Sequence, residues 1–156
     1  MFNLIHFSDM KNLQFLIANL FLILTHMNCT PASSDNKEEK TFTLYQIGEV
    51  AKENDKTFIV VNEKYLDGMM GMEKFSELTV LYWFDQNDIA ENRSILQVHP
   101  RDNKDNPMRG VFTTHAPVRP NLIAITKCKI LSIKDNIIEV DEIDAFNHSP
   151  VIDIKS

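Results

Sequence analysis

From Phe42 onward the chain alternates short runs of branched and aromatic residues with polar breaks. TFTLYQIGEV and TFIVVN read as two strands parted by the polar AKENDK. LTVLYWF, Leu78 to Phe84, is apolar at both alternating sets of positions, which suits a central strand or one covered by a partner. RSILQVH, GVFTT and LIAITKCKILSI predict further strands, and the last pairs with IIEVDEI across the turn KDN as a hairpin. VIDI supplies a final short strand. The one helix candidate lies between Asn62 and Leu78, where Tyr65, Met69, Met72 and Phe75 fall near one face, although Gly68 and Gly71 weaken it. The pattern therefore predicts a mainly β domain, a small closed or nearly closed barrel of about seven or eight strands with one short helical insert.

The N-terminal pattern is of another kind. In MKNLQFLIANLFLIL a lysine precedes an apolar run from Leu13 to Leu24, too short to span a bilayer comfortably and of the length of a signal-peptide core. Met10 is an alternative start for it. Cys29 and a polar tether follow, which resembles a bacterial lipoprotein signal, with His26 and Asn28 standing where Leu and a small residue are usual. The expected division is a signal or lipoprotein-type segment at 1–29, a linker at 30–41 and the barrel at 42–156. The expected location is exported, periplasmic or held at the membrane by lipid on Cys29. An uncleaved N-terminal anchor with the barrel on the cytoplasmic face is the alternative.

Charge changes the picture locally. With 22 acidic against 16 basic residues, no overall excess advertises nucleic acid. Between Arg93 and Lys129, however, seven basic residues face only Asp102 and Asp105, a positive island suited to phosphate or carboxylate. Cys128 shares a strand face with Ala124, Thr126 and Ile130 and reads as an inert buried thiol. His99, His115 and His148 have no zinc-like spacing, so no metal is expected, and no Ser or Cys sits on a nucleophile elbow. There is no Walker loop and no G-x-G-x-x-G after a strand.

Three polar breaks remain: FDQND, MRGVFTTHAPVRPNLIA and DAFNHSPVID. The last two are stiffened by proline, and such loops can face one another as pocket walls. Together with YLDGMMGMEKFSELTVLYWFDQ, VHPR, RGVFTTHAPVRPNLIAIT and IDAFNHSPVIDIK, in that order from Tyr45 on, they resemble the TsaA-like family. The resemblance implies a β-barrel methyltransferase of the TrmO type, dimeric, that uses S-adenosylmethionine to methylate N6 of threonylcarbamoyl-adenosine in tRNA. It implies a cofactor site at Asp85 and Gln86, at His115, Arg119, Pro120 and Asn121, and at Asn147, His148, Ser149 and Pro150. It identifies no catalytic residue. The chain departs from the family pattern where Asp85 replaces His, His115 replaces a cofactor-contacting Arg, Glu77 replaces His, and Asn147-His148-Ser149-Pro150 replaces D-G-T-P. His115 removes a permanent charge and a bidentate fork, whereas Asp85 adds a carboxylate suited to a sulfonium. Two readings stay open: a tRNA methyltransferase whose basic island meets the phosphates, and an exported, non-catalytic barrel of the same family holding another small ligand.

Overall fold

The computed structural model describes residues 40–156, and Phe42–Ser156 form one compact unit. The signal-type segment, Cys29 and the linker up to residue 39 lie outside the described residues. Eight strands occur in order: β1 (Gly48–Glu53), β2 (Lys56–Val61), β3 (Glu77–Trp83), β4 (Gln97–Val98), β5 (Arg109–Gly110), β6 (Ile123–Lys134), β7 (Ile137–Val140) and β8 (Pro150–Lys155). Six of them close a barrel in the order β1-β2-β7-β6-β3-β8, while β4 and β5 form a separate two-stranded sheet. All pairings are antiparallel. The mainly β barrel expected from the hydrophobic pattern is the fold.

Residue chemistry explains the closures. The two-residue loop of the β1–β2 hairpin has positive φ at both Asn54 (49°) and Asp55 (62°), a conformation that short polar side chains tolerate and that matches strand twist. Asp135, at φ 54°, starts the β6–β7 turn, and Asn136 Nδ2 donates to the Val61 carbonyl at 2.7 Å, tying that turn to β2. Gly48 pairs with Val61 on one side and Val151 on the other. A Cβ there would run into the Val60 carbonyl oxygen and lie 3.1 Å from Val61 Cα, so the seam requires glycine. On β3, Leu78, Val80 and Tyr82 point inward and are buried, while Thr79, Leu81 and Trp83 are half-buried, which accounts for the doubly apolar run. Val50, Ile59, Val80, Ile138 and Val151 are wholly buried at the centre.

Some elements differ from the expectation. TFTLYQ does not join a sheet, and strand structure starts at Gly48. The insert after β2 is two 3-10 stretches, Glu63–Met69 and Met72–Lys74, broken at Gly71 with φ 85°. Its Tyr65, Met69 and Met72 still pack against the core. RSILQVH is not a strand throughout: α1 (Ala90–Ser94) runs into it, because Asp88 captures Arg93 five residues on and Ser94 Oγ bonds the Glu91 carbonyl at 2.7 Å. GVFTT forms a 3-10 turn after Gly110, with Val111 N bonded to the Leu96 carbonyl at 3.0 Å. IIEVDEI stops as a strand at Val140, where Asp141 Oδ1 accepts from the backbone of Lys129 and Glu142, both at 2.8 Å. No helix among the described residues is long and apolar enough to cross a membrane.

Candidate functional site

At the end of β3 and just past it, two aromatic residues meet the polar breaks. Tyr82 and Phe84 pack edge to face, with centroids 5.9 Å apart. Past Phe84 the chain makes a 3-10 turn at Asp85–Asn87, and Phe84 N bonds the Leu122 carbonyl at 2.9 Å, which brings the 114–121 loop alongside. The loop before β8 closes the third side. Lys52 N donates to Asn147 Oδ1 at 2.7 Å, and Lys52 Nζ to the Ile143 carbonyl at 3.1 Å, so β1 holds this loop at both ends.

Between the three segments is a cavity of about 630 Å³. Its walls include Asp85, Gln86 and Asn87 from the first break, His115 and Pro117 from the second, and Asp144, Ala145, Phe146 and Ser149 from the third, with Tyr82, Phe84 and Lys52 from the barrel. A smaller lobe of about 330 Å³ shares Tyr82, Phe84, His115 and Asp144 with it and adds Arg119 and the first half of β6. Tyr82 lines both. Its hydroxyl donates to the Asp144 carbonyl and lies 3.5 Å from Thr126 Oγ1. Burial raises its pKa above the ordinary phenol value, so it remains a neutral donor.

The structure thus places Asp85, Gln86, His115 and Ser149 in the larger cavity and Arg119 in the joined lobe. Arg119 also braces its own loop, since Nη1 and Nη2 lie 3.4 Å from the carbonyls of Thr114 and Val111. Pro120, Asn121, Asn147, His148 and Pro150 do not line either cavity. Pro120 gives its carbonyl to Arg93 Nη1 at 3.1 Å, and the Asn121 carbonyl accepts from Ile123 N at 2.7 Å. His148 has φ 66° and an exposed side chain 3.4 Å from Glu49 Oε2. A left-handed backbone at this position explains why glycine occupies it in the family pattern. Pro150 starts β8 opposite Glu49.

Lys52, Tyr82, Phe84 and Asp144 escaped the sequence reading. Tyr82 was within reach of it, because alternation along β3 puts it on the inner face one residue before the strand ends. Asp144 opens the DAFNHSPVID break, so its wall was legible; Lys52 was not, since its place depends on strand pairing across the barrel.

Among the described residues, two of the basic island's seven residues are held in ion pairs. Arg93 is paired with Asp88 at 2.7 Å and Lys127 with Glu77 at 2.5 Å. Arg101, Lys104 and Arg109 are exposed and form no ion pair among the described residues. Among the described residues no three His, Cys, Asp or Glu side chains gather as a metal site. Cys128 is buried, and burial pushes its thiol up to about 11, with Asp141 adding to the shift.

The family model for the tRNA-methyltransferase O N-terminal domain matches residues 40–156. A probable S-adenosyl-L-methionine-binding protein of Methanocaldococcus jannaschii is 41% identical over 114 residues, which cover 73% of this chain and 90% of that one. An S-adenosyl-L-methionine-binding protein of Archaeoglobus fulgidus is 39% identical, over 62% of this chain and 66% of its own. The crystal structure of TrmO from Pseudomonas aeruginosa superposes with a TM-score of 0.55 at 20% identity, over 74% of this chain. The chain spans about 55% of the length of that TrmO, so the likeness is one of fold.

Proposed function

The chain belongs to the family of tRNA-methyltransferase O N-terminal domains, and from that premise we propose that its cavity binds S-adenosylmethionine and passes the methyl group to an adenosine amine in tRNA. The observation that carries this reading is the meeting of all three polar breaks around one cavity of about 630 Å³, within the range that holds cofactor-sized ligands. The residues present fit the group. Tyr82, Phe84 and Phe146 offer aromatic surface, and Asp85 and Asp144 offer carboxylates, the two features that favour a sulfonium. Lys52, His115 and Arg119 stand where a methionyl carboxylate can be held.

When bound, the donor supplies a methyl group on positively charged sulfur. The protein's part is to orient and to exclude water. Tyr82, held by its bond to the Asp144 carbonyl, keeps the third wall against β3, and Phe84 and Pro117 screen the cavity. Fixed geometry of this kind is the main lever for a displacement at carbon. The exposed Arg101, Lys104 and Arg109 suit a phosphate backbone. A second copy of the chain fits the exposed apolar side chains of Phe112, Leu96 and Met108 as a homodimer partner. For the segment outside the described residues, the tRNA reading goes with an uncleaved N-terminal anchor that keeps the barrel on the cytoplasmic face, whereas export and lipid on Cys29 go with the second reading, a non-catalytic barrel.

Calorimetric titration of S-adenosylmethionine into the chain tests the reading. Micromolar binding is expected, followed by transfer of a labelled methyl group to tRNA that lacks it. Silence at millimolar donor would end the cofactor assignment. Binding without transfer would favour the second reading, a non-catalytic binding barrel, for which His115 in place of the family's arginine already speaks.

A further inference from the structure

A cluster of side chains outside the cavity lining joins two of its walls. Asp88 directly follows the Asp85–Asn87 turn. Its carboxylate accepts from Trp83 Nε1 at 3.0 Å and from Arg93 Nε and Nη2 at 2.9 and 2.7 Å. The same guanidinium lies 5.3 Å from the Trp83 ring centroid. Its remaining nitrogen, Nη1, donates to the carbonyl of Pro120 at 3.1 Å, in the loop that carries His115, Pro117 and Arg119. All three guanidinium nitrogens are therefore engaged, and they span β3, the first wall and the second.

We propose that Arg93 is a positioning residue that sets the spacing between the Asp85–Asn87 wall and the His115–Arg119 wall, and through it the affinity of the cavity. The proposal rests on the donor-binding reading above. Neither wall belongs to a barrel strand, so no sheet ladder fixes the gap between them. The Phe84 N to Leu122 carbonyl bond holds them at the base, and without Arg93 they are free to hinge about it. Pro120 suits the far anchor, since its ring fixes φ and a pull on its carbonyl passes to Arg119 with little slack. The task also needs arginine rather than any cation. A planar fork reaches Asp88 and Pro120 at once while stacking on Trp83, whereas an ammonium is a point charge on a loose stem.

The test compares the whole chain with Arg93→Ala and Arg93→Lys by titrating S-adenosylmethionine well below the melting temperature. If loosened walls hold the productive spacing about one-tenth of the time, the apparent Kd rises about tenfold. Lysine, which keeps charge without the fork, is expected to recover little of that loss. Trp83 is the only tryptophan of the chain, so its emission reports on the cluster. Donor binding is expected to change that emission in the unaltered protein and not in Arg93→Ala. An unchanged Kd in Arg93→Ala, with only the melting temperature lowered, would make Arg93 a mere stabiliser and overturn the proposal. Should the unaltered chain fail to bind the donor, the cofactor reading falls separately, and amide hydrogen exchange decides for Arg93. Faster exchange in both 85–87 and 114–121 upholds it, while faster exchange confined to 88–94 overturns it.

Discussion

Gly48 shows how a single residue can carry a barrel's closure. It sits where β1 is paired on both sides, and the β2 backbone comes so close that a methyl group finds the Val60 carbonyl in its way. Because the obstacle is backbone and not the end of a side chain, it cannot swing aside. Gly48→Ala is expected to destabilise the fold by about 1–3 kcal/mol, the usual range for overpacking. In a domain of this size that lowers the melting temperature by roughly 5–10 °C. A melting temperature unchanged or raised would show that the seam can open to admit the methyl group. His148 is the opposite case. It keeps a left-handed backbone with a bulky side chain, and it can do so because that side chain turns outward to Glu49 instead of into the barrel.

At the scale of elements, what could be read from the chain depended on whether a segment's partners lie nearby. β3, β6, β7 and the turn between the last two were legible because alternation and the KDN turn are local signals. The segment 90–99 was not. Its branched residues favour a strand, yet Asp88 and Ser94 supply side-chain bonds that wind Ala90–Ser94 into a helical turn. The site divides the same way: its three loops announced themselves by proline and polar residues, but their meeting required the closed barrel. The loop from Val111 to Asn121 illustrates the difference between a loop's stability and its use. Arg119 holds it by two bonds of 3.4 Å to its own carbonyls, long enough to be weak, while lining the smaller lobe. Arg119→Ala is therefore expected to cost less than about 1 kcal/mol of stability. A charged fork facing an anionic group contributes more than that, so the Kd for S-adenosylmethionine should rise by about tenfold or more. Unchanged affinity beside a large fall in melting temperature would assign Arg119 to structure alone.

Across the whole molecule, acid sets two electrostatic effects against each other. The chain carries a formal charge of −6 at pH 7, so protonating carboxylates first relieves a general repulsion. Three carboxylates oppose this, because the folded state holds their pKa values below the ordinary range. Hydrogen bonds from Trp83 and then Arg93 lower Asp88, the bond from Lys56 and then Ser132 lowers Glu139, and backbone N–H groups of Lys129 and Glu142 lower Asp141. A group depressed in the folded state contributes stability that is fully present above its unfolded pKa, about 4, and is lost as pH falls through the folded value. The general repulsion is spread over a solvated surface and screened, whereas each of these three bonds is a contact between named atoms. The contacts also sit at distinct joints: β2 to β7, the end of β7 to the middle of β6, and the segment just behind the first wall of the cavity. The melting temperature is therefore expected to change little from pH 7 to about 5 and to fall below about 4, where these contacts titrate. Asp88→Asn should flatten part of that fall, since it removes one of the three depressed groups. A melting temperature that rises steadily on acidification to about pH 3 would mean that relief of the net charge outweighs the three contacts together.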